Sequence, residues 1–170
     1  MRLECGLCVI RDWRLSDEGA LIAVANSRNV WRNLHHRFPY PYTKSDARHW
    51  FSLLAGMTEP THWAIEVDGV AVGGVGVDLG EGIFAKSAQF GYWLGEPYWG
   101  RGIMTDAVRA ASEYALIHFG LVRLEAPVFA WNPASMRVLE KSGYVQEGIL
   151  RKSVLKDGML IDQVLYALVG

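Results

Sequence analysis

"YWGRGIMTDAVRAASEYA", Tyr98 to Ala115, sets two glycines around an arginine and then runs into a helical pattern. Ile103, Ala107, Ala110, Ala111 and Tyr114 keep one apolar face, and His118 and Gly120 close the helix they define. A strand that reaches a helix through a glycine-bearing turn leaves backbone N–H groups unpaired at the positive end of the helix dipole. Such a turn is an anion site when no side chain blocks it. Gly100 and Gly102 remove the side chains, and Arg101 adds a cation at the rim. Glycine ahead of a helix is also ordinary turn chemistry, so the stretch needs its context. No GK[ST] follows, as a nucleoside-triphosphate loop requires, and Met104 stands where a dinucleotide fingerprint would want its third small residue.

Upstream, Leu7 to Trp13 alternates as a first strand, and SDEGALIAVANS from Ser16 has the acids and apolar spacing of a helix. Thr43 with Asp46 resembles a capping box ahead of a helix whose stripe is Ala47, Trp50, Phe51 and Leu54. HWAIEVDGVAVGGVGVD from His62 holds two strands around Asp68-Gly69, a hairpin signal, and its Gly73, Gly74 and Gly76 announce bulges or close backbone approach. SAQFGYWL, Ser87 to Leu94, is the next strand. Leu121 to Ala130 follows the helix as another, and Asn132-Pro133 opens a short helix that Gly143 ends. Tyr144 to Leu155 and Met159 to Val169 pair through Asp157-Gly158. The predicted order is β-α-α-β-β-β-α-β-α-β-β, a mixed α+β arrangement.

Composition bounds what this arrangement does. At 170 residues and 51% hydrophobic, the chain forms one domain, 1–170, with an ordinary core. A formal net charge of -1 argues against nucleic acid as a partner. No apolar run reaches the roughly 18 residues of a membrane helix, and MRLECGLCVIRDW carries Glu4 and Arg11 where a signal peptide would be apolar. A cytoplasmic protein without membrane contact is expected. Cys5 and Cys8 form a CxxC without a second pair for zinc, and within a strand they read as small apolar residues on opposite faces. His35 and His36 are neighbours in sequence with no further ligand at metal spacing, so no metal is expected.

WLGEPYWGRGIMTDAVRAASEYA, then RLEAPVFAWNPASMRVLEKSGYVQEGILR and DGMLIDQVLYAL, resemble the GNAT superfamily of acetyl-CoA-dependent N-acetyltransferases, and within it the RimJ/RimL-like ribosomal-protein branch. RDWRLSDEGALIAVANS and FPYPYTKSDARHW are similar to the same branch, so the resemblance covers nearly the whole chain. WGRG alone is modestly specific; WGRG about thirty residues ahead of NPASMRVLEKSGY is highly so. The resemblance implies the GNAT fold, a mostly antiparallel sheet splayed centrally with helices on both faces. It also implies acetyl-CoA as cofactor and an amine substrate, a peptide N-terminus or a small molecule.

The same resemblance assigns residues. Trp99, Gly100, Arg101, Gly102, Ile103, Met104 and Thr105 occupy the pyrophosphate loop, with Met104 a departure from the usual Gly or Ala, tolerable if its side chain turns inward. The backbone near Trp93 and Leu94 pairs with the pantetheine arm. Asn132, Ser135 and Arg137 complete the cofactor set. Pro127 falls inside a run expected to be central, and proline lacks a ladder donor, so the strands are predicted to part at or next to it, with a plain bulge as the alternative. HHRFPYPYT is either a packed loop or one wall of a substrate pocket.

Direct acetyl transfer needs a positioned amine, a route for its proton, an oxyanion donor and an acid for the thiolate. Asn132 and Ser135 are the catalytic candidates, each with a plainer alternative as helix cap and first-turn hydroxyl. Many family members carry a tyrosine where this chain has Leu139, which leaves Ser135 as the substitute acid and Tyr144 as a distant one. Glu66, Asp78 and Glu125 read as solvated or salt-bridged carboxylates, and no base is assigned. A GNAT-fold module that holds acyl-CoA without turning it over is the alternative function. The exposed edges of the final strands leave room for a homodimer.

Overall fold

The computed structural model describes residues 1–170. In chain order its elements are β1 (Arg2–Glu4), β2 (Val9–Arg11), α1 (Glu18–Ala25), α2 (Arg28–Trp31), α3 (Lys44–Ala55), β3 (His62–Val67), β4 (Val70–Leu79), β5 (Ser87–Leu94), α4 (Ile103–His118), β6 (Arg123–Phe129), α5 (Pro133–Lys141), β7 (Val145–Lys156) and β8 (Met159–Val169). The fold is mixed α+β with mostly antiparallel pairing, in the expected order. One strand and one single-turn helix are added to it. The chain divides into two compact units, Met1–Gly76 with Tyr92–Ala107 and Val77–Gly91 with Val108–Gly170; β4, β5 and α4 each run from one into the other.

In the first unit β1 pairs β2, β2 pairs β3 and β3 pairs β4, all antiparallel. The expected single strand Leu7–Trp13 is replaced by the β1–β2 hairpin, with Glu4 opposite Val9 and the turn at Cys5 to Cys8. The Cys5 N–H donates to the Cys8 carbonyl at 2.8 Å, so these cysteines face each other across the turn rather than lying on opposite sides of a strand. Gly6 packs against α4, where a Cβ would stand 2.9 Å from the Asp106 Oδ2 and would displace that side chain.

Local chemistry accounts for the helices. Thr43 Oγ1 accepts from the Asp46 N–H at 3.3 Å while the Asp46 carboxylate accepts from the Thr43 N–H at 2.7 Å, closing the predicted capping box of α3. Ala47 and Phe51 of its stripe join Leu21, Ala25 and Tyr42 in a buried cluster, against which Trp13, Phe38, Trp50 and Trp93 pack. The unforeseen α2 is a single turn held by Ser27, whose Oγ accepts from the Val30 N–H at 3.3 Å. Asp68-Gly69 and Asp157-Gly158 both take left-handed backbone conformations, as tight two-residue hairpins require.

In the second unit β5 pairs β6 in parallel, and β6–β8 and β8–β7 are antiparallel. The parallel ladder is short: Ser87, Ala88 and Gln89 lie opposite Arg123, Leu124 and Glu125, and pairing stops there. Pro127 lies two residues beyond the last pair, while its other side stays in register with Leu165. The parting of the strands next to Pro127 thus matches the expectation drawn from its missing donor. Once β5 has left β6, the chain attaches elsewhere, and the Gly95 N–H donates to the Val72 carbonyl of β4 at 2.8 Å.

Candidate active site

The loop from Gly95 to Gly102 is built by short-range hydrogen bonds. Tyr98 and Trp99 N–H groups donate to the Gly95 and Glu96 carbonyls at 3.0 and 3.2 Å, which leaves the chain aimed at the start of α4. Gly100 and Gly102 follow with φ of +72° and +81°, left-handed values that any side chain would oppose. The reason for two glycines is therefore conformational first. A Cβ at Gly100 would meet no protein atom within 4 Å, so the space beside this residue is open.

From Gly102 onward the backbone enters α4, and its first bond is Asp106 N–H to the Gly102 carbonyl at 3.2 Å. Ile103 and Met104 are buried, so their side chains anchor the first turn inward, and their amides stand at the N-terminal end of the helix dipole. Met104, the departure from Gly or Ala, thus has its side chain turned inward, as its place in the loop would ask. Arg101 lies with its guanidinium 5.7 Å from the centroid of the Tyr98 ring, stacked as a cation beside the open amides. The arrangement suits a diphosphate: bare amides, an adjacent cation and no obstructing Cβ.

Trp99 has a role that sequence reasoning missed. Its indole N–H donates to the Leu94 carbonyl at 2.7 Å, tying the phosphate-type loop to the end of β5. Beneath this end, β4 approaches so closely that a Cβ on Gly73 would stand 2.4 Å from the Trp93 carbonyl oxygen, and one on Gly74 2.8 Å from the Trp93 Nε1. The glycine run of β4 serves close approach and also adjoins a bulge, since Gly73 lies opposite Ile65 and Ala71 opposite Glu66 with Val72 extra between them, so both anticipated outcomes occur. Trp93 in turn meets Phe38 edge to face at 5.2 Å, and Phe38 lies 5.2 Å from Tyr42. The HHRFPYPYT segment is thus anchored by Phe38 and Tyr42, while His35, His36 and Arg37 are exposed. No group of His, Cys, Asp or Glu is placed to hold a metal ion.

The remaining candidates lie in the second unit, on and before α5. Asn132 caps the helix: its Oδ1 accepts from the Ser135 N–H at 3.2 Å, with Pro133 at the first helical position. Ser135 is half-buried and Arg137 exposed, both on the first turns of that helix. Leu139, at the position where the resemblance implied a tyrosine in other family members, is fully buried. Tyr144, the distant substitute, is 3% exposed, and its hydroxyl shares a hydrogen bond with Ser112 Oγ at 2.8 Å inside the unit. It is an interior group, not an acid at a surface. Of the carboxylates considered, Glu66 is bound by Arg11, and Glu125 accepts from Arg123 Nε at 2.7 Å. Both read as ion pairs, as their sequence context suggested.

Comparison with known proteins identifies the family and the fold. A family described as "Acetyltransferase (GNAT) domain" matches residues 8–145. The Bacillus subtilis (strain 168) protein named "Probable N-acetyltransferase YjcK" is 44% identical over 85 residues, covering 50% of this chain and 47% of the relative. The "Ribosomal-protein-serine acetyltransferase" of Escherichia coli (strain K12) is 32% identical over 82 residues, covering 48% of this chain and 46% of the relative. In both, the chain spans about half the relative's length. The structure of Mycobacterium smegmatis RimJ in complex with CoA-disulfide superposes with a TM-score of 0.85 at 25% identity, over 100% of this chain and 86% of that one.

Proposed function

The chain belongs to the GNAT acetyltransferase family, and from that premise we propose that it moves the acetyl group of acetyl-CoA to a primary amine, chiefly the N-terminal α-amine of a protein or peptide. The name of the ribosomal-protein relative supports that acceptor class, and a small-molecule amine is the narrower second choice. A ribosomal-type substrate would be met in the cytoplasm. No helix of the structure is long and apolar enough to cross a membrane.

Acetyl-CoA would supply the activated acyl group, and the chain's residues hold and orient it. The amides from Gly102 to Met104, with Arg101 beside them, take the diphosphate, and the β5 backbone at Trp93 and Leu94 takes the pantetheine arm. Leu94 keeps one carbonyl lone pair for this, since the Trp99 indole uses the other. We assign Thr105, Asn132, Ser135 and Arg137 to the same ligand. Bound there, acetyl-CoA would supply its acyl group to an amine that has given its ammonium proton to water, and Ser135 would donate its hydroxyl proton to the departing sulfur and recover one from the acylated nitrogen.

The observation that carries this reading is the pair of left-handed glycines opening α4 above an inward-turned Met104. Calorimetry with coenzyme A tests it: the wild type is expected to bind, and Gly102→Val to bind at least about tenfold more weakly. Equal binding by both, or none at millimolar ligand, overturns the reading. Release of thiol with peptide acceptors separates the enzyme from the silent binding module, which would bind coenzyme A and release nothing.

A further inference from the structure

The CxxC motif lies outside everything assigned so far, and the hairpin gives it a geometry. Cys5 and Cys8 face each other across Gly6-Leu7, joined by the 2.8 Å Cys5 N–H to Cys8 carbonyl bond and continuing the register of Glu4 with Val9. That single bond holds the two backbones together where the ladder ends, and a disulfide asks for Cα atoms roughly 4.4–6.8 Å apart. Directly opposed residues also project to the same face of a hairpin. Both cysteines are free thiols in this structure.

Their surroundings differ as those of an attacking and a resolving sulfur do. Cys5 is half-exposed, whereas Cys8 is 5% exposed with its Sγ 3.9 Å from the Ile103 carbonyl. Interaction with the Cys8 side chain, its largest cause, holds Cys5 below the usual thiol range, against burial and the charges of Asp106 and Glu4. The same interaction, with burial and the charges of Cys5 and Asp106, pushes Cys8 up. Thiolate character and access both favour Cys5 as nucleophile. The turn also rests on the start of α4: Gly6 faces the Asp106 carboxylate, and Leu7 Cδ1 lies 3.3 Å from where a Gly102 Cβ would be.

We propose that Cys5 and Cys8 form a reversible thiol–disulfide couple, Cys5 attacking and Cys8 resolving, whose state is transmitted to the Gly102 end of the α4 loop. The oxidant is a low-molecular-weight disulfide. The Cys5 thiolate, its proton lost to solvent, attacks one sulfur; that S–S bond breaks, and the first thiolate leaves with the electron pair and takes up a proton. The Cys8 sulfur then attacks Cys5 Sγ in the mixed disulfide, and the second small thiol leaves carrying the Cys8 proton. Two protein thiols are oxidised by two electrons, and one disulfide is reduced to two thiols. Drawing Cys8 Sγ toward Cys5 takes its hydrogen from the Ile103 carbonyl and shifts Leu7 against Gly102. The oxidised form should therefore hold coenzyme A less tightly, a consequence that rests on the function proposed above.

The test is intact-protein mass spectrometry after incubation with oxidised glutathione near neutral pH. The wild type is expected to lose about 2 Da and keep no glutathione. Cys8→Ser should trap one glutathionyl group on Cys5, and Cys5→Ser should react at least about tenfold more slowly than Cys8→Ser. If Cys8→Ser does not fold, Cys8→Ala serves the same purpose. A wild type that stays reduced or retains glutathione, or a Cys5→Ser as reactive as Cys8→Ser, overturns the couple. Calorimetry of reduced and oxidised wild type then reads the transmission, with affinity for coenzyme A at least about threefold weaker on oxidation; equal affinities overturn the transmission. If neither form binds coenzyme A, the assigned function fails while the mass result still decides the couple.

Discussion

Asn132 and Ser135 show how one hydrogen bond separates two roles. The Asn132 oxygen is committed to the Ser135 N–H, so Asn132 contributes to α5 whatever else it does. Asn132→Ala is expected to lower stability by about 1 kcal/mol, and Asn132→Asp, which keeps the acceptor, by much less, as chemical denaturation would show. Ser135→Ala leaves that cap in place, because the bond uses the Ser135 backbone. Its turnover should nevertheless fall at least about tenfold if the hydroxyl protonates the departing thiolate. Wild-type rates in Ser135→Ala would remove it from the mechanism and leave the thiolate to solvent, since Leu139 and Tyr144 are both interior.

At the scale of elements, the contact of β4 with the end of β5 fixes where the loop begins. Gly73 is the closest approach, and the atom it faces is backbone, which cannot rotate away. Gly73→Ala should cost about 1–3 kcal/mol of stability, because the Trp93 carbonyl must move. It should also weaken coenzyme A binding, since the Trp99 indole that hangs from the Leu94 carbonyl would move with it. An alanine variant with unchanged melting temperature and affinity would show that β5 gives way at no cost. Gly91, by contrast, has no atom within 4 Å of its virtual Cβ, and alanine there serves as the control.

For the whole molecule, pH reports on the most deeply buried ion pairs. Arg11 is 2% exposed and donates to both Asp17 oxygens, at 2.8 and 2.9 Å, and to Glu66. Burial by itself would push the Asp17 carboxyl up; the Arg11 hydrogen bonds, the Arg14 N–H and the Arg11 charge outweigh it and hold Asp17 below the ordinary range. A carboxyl depressed on folding adds stability that is complete above its unfolded value, about 3.9, and is lost as pH falls through the folded one. Arg11→Met should cost about 3–5 kcal/mol at neutral pH by leaving buried carboxylates unpaired. The gap to wild type should narrow as the medium is acidified below that unfolded value. A gap independent of pH would mean that Arg11 acts by packing alone. Association is a second property at this scale. β7 ends the strand order with one edge bare, and Val145, Ile149 and Leu155 on it are 67, 57 and 70% exposed. We propose a homodimer through this strand; sedimentation should give a dimer that Ile149→Lys returns to monomer, and a monomeric wild type would end the idea.

The sequence by itself determined whatever is closed within a few residues. The Thr43–Asp46 box, the Asn132-Pro133 start of α5, the two Asp-Gly hairpins and the left-handed glycines before α4 depend on partners no more than four positions away, so residue type and spacing suffice to specify them. The tertiary structure alone decided what needs distant partners. Cys5 to Cys8 turns where a strand was expected, because the register of β1 on β2 and the nearby α4, with Ile103 and Asp106, exist only in the folded chain. The pairing of Glu66 with Arg11 and the burial of Tyr144 against Ser112 are likewise contacts across many residues. Their cost in chain entropy is met only by packing around them, which no local pattern encodes.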